Sequence, residues 1–228
     1  MQNVYFVSDL HFSHLNTLYH HPKKREAAGI SLEELQNGDK WEVLAKYDEW
    51  LIKKWNETIK REDLVYILGD VCLGNRERTE KILQRLHGKK FLIYGNHDKS
   101  CKGLEQRYFV WSGDIKEVKF NHCQFPFIDE NETFCVELCH YPVLAWNRRT
   151  HGACMVHGHT HGSIDRFNDE SMELRVDVGF DSRMGNLGFV RLEDLYAHFK
   201  GVVEKNAPHC KTFQDYAEWL MAKQGFRM

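Results

Sequence analysis

His157, His159 and His161 stand at alternate positions of the segment MVHGHTHG, with Gly158 and Gly162 between and after them. In an extended chain alternate side chains share a face, so this spacing can aim two or three imidazoles at one point, as a metal ion requires. A polar turn after a strand would look the same. Four other short clusters offer related chemistry: SDLH with Asp9 and His11, GD with Asp70, GNHD with Asn96, His97 and Asp98, and CHYP with His140. Each alone has an ordinary structural explanation. Asp9 can cap a turn, Asp70 can serve an Asx-turn, Asn96 can take a left-handed conformation, and His140 can sit satisfied in a core.

Together the clusters deliver Asp9, Asp70, Asn96, His11, His140, His159 and His161. Imidazole and carboxylate without thiolate suit ions of intermediate hardness such as Mn, Fe, Ni or Zn. Seven ligands are too many for one tetrahedral ion but fit two ions about 3.5–4 Å apart that share a carboxylate. Asp70, preceded by the slim Gly69, is the natural bridge. Two divalent ions carry more positive charge than two carboxylates and a shared hydroxide remove, and such a site attracts phosphate.

The elements that must position these residues are also visible. The apolar runs VYFV, LVYIL, KFLIY, TFCVEL and ACMV each stop at one of the clusters. If they are strands of open sheets with their carboxyl ends along one edge, the clusters meet in one crevice. Between them, Ser31 and Glu34 of SLEEL form a capping-box pattern. Residues 41–59 place Trp41, Leu44, Leu51, Trp55 and Ile59 on one helical face, as core or lid packing. TEKILQRLHG predicts a helix ending at Gly88, and KTFQDYAEWLMAKQG a final amphipathic helix. No repeat, Pro/Ser linker or low-complexity tract divides the chain, so a single domain over 1–228 is expected, with a helical insertion at about 20–62.

The chain has 228 residues, enough to bury about 70–75% of its unfolded surface in a sizeable core. Thirty-one Lys and Arg against 33 Asp and Glu give a formal charge of −2, which argues against a nucleic-acid-binding or membrane-attracted surface. KKR, NRER and NRR are read as solvated surface. Seven cysteines without a CxxC pair point to reduced thiols, with Cys135 and Cys139 facing the core. No signal peptide or membrane-length apolar run is visible, so a cytoplasmic location is expected.

In chain order the clusters read SDLH (8–11), GD (69–70), GNHD (95–98), HYP (140–142) and GHTH (158–161). This succession, spanning residues 4–162, resembles the calcineurin-like metallophosphoesterase superfamily. The resemblance implies an α/β fold of four layers, two mixed β-sheets packed face to face with helices outside, and a dinuclear metal site at the strand ends. It implies that Asp9, His11 and His161 hold one ion, Asn96, His140 and His159 the other, and Asp70 both. Mn is the expected metal, with Fe, Ni or Zn as alternatives. His157 is then left to support the turn. His97 would face the substrate as general acid, with Asp98 orienting its ring.

GDVCLG and GNHD differ from the GDxVDRG and GNHE of the family's serine/threonine phosphatases, and His97 stands where the lipid A pathway pyrophosphatases usually carry Arg. SDLHFSHLN with WNETIKREDLVYILGD most resembles a small group of bacterial and phage phosphoesterases. In that group His14 and Asn16 recur past the metal motif, to contact substrate or shape the loop. The alternative to a solvated NRR is that Arg148 or Arg149 reaches the rim and pairs with a substrate phosphate. The expected activity is a two-metal phosphodiesterase acting on a nucleotide or short oligonucleotide, the alternative a phosphomonoesterase. A non-catalytic metal-binding scaffold should show broken motifs, and these are intact. No obligate protein partner is expected.

Overall fold

The computed structural model describes residues 2–225. The first half runs β1 (Val4–Val7), α1 (Leu15–His20), α2 (Pro22–Ala27), α3 (Leu32–Asn37), α4 (Lys40–Thr58), β2 (Leu64–Ile67), α5 (Arg76–Leu83), β3 (Lys89–Ile93), α6 (Glu105–Tyr108) and β4 (Trp111–Gly113). The second runs β5 (Ile115–Asn121), β6 (Thr133–Cys139), β7 (Cys154–His157), α7 (Asp165–Ser171), β8 (Arg175–Asp177), β9 (Val190–Arg191), α8 (Leu192–Asn206) and α9 (Phe213–Lys223). All five apolar runs are strands, and each ends where its polar cluster begins.

Two mixed sheets result, flanked by helices. One has the order β4-β3-β2-β1-β9 and the other β5-β6-β7-β8. In the first, β1, β2, β3 and β4 are parallel and β9 is antiparallel to β1; in the second, only β5 against β6 is antiparallel. Val7 pairs with Ile67 and Ile67 with Leu92, so SDLH, GD and GNHD leave the sheet side by side. Leu138 pairs with Val156, which brings His140 and the GHTH turn out together. The sheets are stitched at this edge, where the Ser8 N–H donates to the Val178 carbonyl at 3.2 Å and the Phe180 N–H to that of Ser8 at 2.8 Å.

The first sheet is buried on both faces, which is why its strands read as continuous apolar runs rather than alternating ones. Phe6, Tyr66 and Leu68 face Val118, Phe134 and Val156 of the second sheet, together with Leu195 and Phe199 of α8 and Phe213 and Tyr216 of α9. Tyr5, Val7, Val65, Ile67 and Leu92 pack against Tyr47, Leu51 and Trp55 of α4. Each such large apolar side chain contributes about 1.5–3 kcal/mol on burial.

The Ser31–Glu34 capping box forms. Leu44, Leu51, Trp55 and Ile59 are buried as the helical face predicts, but Trp41 is not: it is 62% exposed, with Lys40 and Arg78 lying over its ring. It sits in the first turn of α4, where these cations replace core contacts. The helix expected to end at Gly88 runs instead from an Asn75 cap to Leu83, and Gly88, at φ +88°, turns the chain into β3. Cys135 and Cys139 are buried. Among the described residues no helix is long and apolar enough to cross a membrane.

Candidate metal centre

The clusters converge because their backbones accept unusual conformations. Asp9, His11, Asp70, His159 and His161 all have positive φ, between +49° and +68°. A left-handed non-glycine residue is strained, and five at one sheet edge mark a functional site. Gly69 makes the close approach possible, since a Cβ there would lie 2.6 Å from both the Gly95 nitrogen and His140 Nδ1. Buried carboxylates fasten the loops. Asp98 accepts the N–H groups of Asp70, Val71 and Gly95 at 2.9, 2.8 and 2.7 Å, which ties GD to GNHD. Asp177 accepts from the Thr160 hydroxyl and from the Gly162 and Gly179 N–H groups, which holds the GHTH turn.

Ligand-type atoms of Asp9, His11 and His161 lie within 4.8 Å of one another, as do those of Asp9, Asp70 and His140. His140 Nδ1 lies 2.6 Å from the Leu68 carbonyl, to which it must donate. Its Nε2 therefore turns a lone pair toward Asn96 Oδ1 at 3.1 Å and Asp70 Oδ1 at 3.7 Å. His161 Nδ1 likewise meets the Asp181 carboxylate at 2.9 Å, leaving Nε2 to face His11 Nε2 at 3.2 Å and Asp9 Oδ1 at 3.8 Å. Asp9 Oδ1 is buried with no hydrogen-bond partner, while Oδ2 accepts the His159 N–H at 2.9 Å. Acceptors facing acceptors around an orphaned carboxylate oxygen are the arrangement a cation satisfies, so the donor set fits divalent ions. Burial pushes the Asp9 carboxyl up to about 7 and lowers the His11 imidazole, so His11 is held neutral, as a ligand must be.

The ring of His159 lies 5.0 Å from that of His140, and Asp70 Oδ2 lies 3.7 Å from His11 Nε2, so Asp70 faces both halves. His97 and Asn96 are exposed at the mouth, with the His97 ring 5.8 Å from that of His11. His14 also joins the site: its Nδ1 is 3.2 Å from His11 Nδ1, its ring 5.9 Å from that of His97, and burial lowers its pKa to about 4. His157 is fully buried, donating through Nδ1 to the Gly158 carbonyl and accepting from Asn168 at Nε2.

Two expectations are corrected, those for Asp98 and Arg149. Asp98 does not orient the His97 ring, because both its carboxylate oxygens are engaged by backbone N–H groups. Arg149 does not reach a substrate phosphate, since it is held in a two-pronged pair with Glu173 over the Trp146 ring. Arg148, exposed and left-handed at φ +58°, lies beside Glu117 of β5 and lowers that carboxyl after the larger effect of Lys119. Asn16 is exposed in the first turn of α1 and makes no hydrogen bond to the other site residues.

Asp181, Lys24, His21 and Asp177 were not legible as site residues. Asp181 accepts from His161 and from His21 Nδ1, the latter at 2.7 Å, and lies 3.4 Å from the fully buried Lys24 ammonium. Burial alone would raise its carboxyl, but the hydrogen bonds from His161 and His21 and the Lys24 charge hold it below the usual carboxylate range.

Residues 3–198 match the model of the calcineurin-like phosphoesterase family. The chain is 28% identical to the Gene 66 proteins of Mycobacterium phages D29 and L5, over 80% and 92% of its length and 89% and 100% of theirs. It is 25% identical to an uncharacterised protein of Methanocaldococcus jannaschii, over 78% of this chain and 82% of that one. A solved protein of unknown function from Aquifex aeolicus shares the fold at TM-score 0.56 and 18% identity, covering 87% of this chain and all of its own.

Proposed function

We propose, because the chain belongs to the calcineurin-like phosphoesterase family and is a hydrolase of phosphate esters, that its substrate is a phosphodiester, a nucleotide or short oligonucleotide. The observation that carries the two-ion reading is the inward aim of the His140 and His161 Nε2 lone pairs at carboxylate and amide oxygens. Asp9, His11 and His161 would hold one ion, Asn96, His140 and His159 the other, and Asp70 both. Such ions, Mn being the one we propose and Fe, Ni or Zn the alternatives, supply activated water at neutral pH and neutralise charge on the phosphoryl oxygens.

The remaining chemistry belongs to the chain. His97, exposed beside Asn96, donates a proton to the departing ester oxygen, which otherwise leaves as a costly alkoxide. Its backbone N–H donates to Asp70 Oδ1 at 2.9 Å, so the acid is fixed to the bridging carboxylate through the main chain. His14, kept neutral by burial, stands behind His97 and His11 without adding positive charge there. A diester needs room for a second substituent. His159, Asn96, His97 and Tyr141 all lie exposed around the mouth, which supports that reading over a closed monoester pocket. The small phosphate ester is the only partner the proposal requires.

The test is a hydrolysis screen over cyclic nucleotides, dinucleotides, oligonucleotides and monoesters with Mn, Ni or Zn. Faster turnover of a diester than of any monoester is expected. Turnover of monoesters alone moves the chain to the phosphomonoesterases, and a purified protein that takes up no ion on reconstitution overturns the two-ion reading.

A further inference from the structure

The region behind His161 is built from three segments that share no motif. Asp181 leaves the loop after β8, while His21 and Lys24 come from the insertion, at the end of α1 and in α2. The Asp181 side chain is 4% exposed and receives His161 Nδ1 at 2.9 Å and His21 Nδ1 at 2.7 Å. The His21 ring stacks on that of His161, centroids 4.1 Å apart and planes 23° from parallel. Lys24 Nζ, fully buried, lies 3.4 Å from Asp181 and donates to the Asp9 carbonyl at 2.7 Å. Ligand-type atoms of His21, His161 and Asp181 are close enough to resemble a separate cation site. The Lys24 ammonium already supplies that cation, so the cluster needs no ion of its own.

We infer that Asp181 is a positioning residue for the first ion: it fixes His161 with the proton on Nδ1 and Nε2 turned toward Asp9 and His11, while Lys24 neutralises Asp181 and braces the Asp9 backbone. This rests on the two-ion reading above. A carboxylate on the far nitrogen of a ligating imidazole sets its tautomer and orientation, and loss of such a partner typically weakens metal affinity about 10–100-fold. On this account the insertion is part of the metal centre rather than a cover over it.

The test titrates Mn into metal-free wild type, Asp181→Asn, His161→Ala and the double variant by calorimetry, with melting curves of each metal-free protein. In Asp181→Asn one of the two ions weakens about 10–100-fold and the other is unchanged. In the His161→Ala background the same change adds nothing, because Asp181 acts through that imidazole. Since Asp181→Asn could fail to fold, zinc-loaded wild type is also examined by long-range proton–nitrogen NMR, where His161 should carry its proton on Nδ1. Two wild-type affinities in Asp181→Asn, additive losses in the double variant, or a His161 proton on Nε2 each overturn the inference. A wild type that binds two ions while any of these holds sinks this inference alone; a wild type that binds none sinks the two-ion reading with it.

Discussion

Asp9, His11, Asp70, His159 and His161 each hold a left-handed backbone that costs of order 1–3 kcal/mol, a strain that only an over-determined surrounding sustains. Asp98 and Asp177 supply part of that surrounding by collecting the N–H groups of the loops. Asp70 is the residue on which most depends, since one oxygen lies 3.7 Å from His140 Nε2 and the other 3.7 Å from His11 Nε2. Asp70→Ala should reduce bound metal from two ions per chain to one or fewer by mass spectrometry, with hydrolysis lower by on the order of 10²-fold or more. Full occupancy in that variant would remove Asp70 as the bridge. His97→Asn tests a different function, because the His97 side chain lies edge-on to the His11 ring but is not among the groups placed to hold an ion. Metal content should stay at the wild-type level, while turnover of alkyl esters falls about 10²–10⁴-fold and that of nitrophenyl esters, whose leaving group needs no proton, falls far less. Equal losses on both esters would assign His97 to charge stabilisation at the phosphoryl group instead.

Between residues and fold, the insertion is the informative element. Three of its buried polar groups reach the loop after β1: Lys24 to the Asp9 carbonyl at 2.7 Å, the Tyr47 hydroxyl to the Leu10 carbonyl at 2.9 Å, and Asp48 to the Ser13 N–H at 2.6 Å and hydroxyl at 2.7 Å. Asp48→Ala leaves the Ser13 N–H buried without an acceptor and should cost about 1–3 kcal/mol, read as a lower urea midpoint at unchanged slope. An unchanged midpoint would mean that the loop holds itself. None of these bonds was legible, because they join segments up to 37 residues apart and involve ordinary surface residue types. The five motif strands were legible, since burial on both faces writes them as apolar runs. In β5 the sequence IKEVKFN buries only Val118 and Phe120 and carries charge between them, and β8 and β9 are three and two residues long, so no run announces them. Asp98 was misread because adjacency in sequence suggested adjacency of side chains, whereas the turn that follows His97 points its carboxylate at backbone amides. Arg149 was misread because its partner Glu173 lies 24 residues away, in a loop that only the fold brings near.

At the scale of the whole molecule, the proposed ligands come from both sheets, at positions 9–11, 70, 96, 140 and 159–161, and no short stretch of chain could gather them. An unfolded chain therefore holds no comparable site, and ions that bind only the folded state must stabilise it. Ions held as proposed would also relieve a penalty, namely the partnerless Asp9 Oδ1 and the facing Nε2 atoms of His11 and His161. An ion supplied at about a hundred times its dissociation constant contributes about 2.7 kcal/mol per site. For a domain of this size each kcal/mol moves the melting temperature by about 2–4 °C, so Mn should raise it by about 5–10 °C for one site and roughly twice that for two. A chelator should reverse the shift and abolish hydrolysis over the same concentration range, because one set of ions serves both. Melting curves indifferent to Mn and chelator, with hydrolysis persisting, would separate stability from catalysis and place the reaction outside this centre.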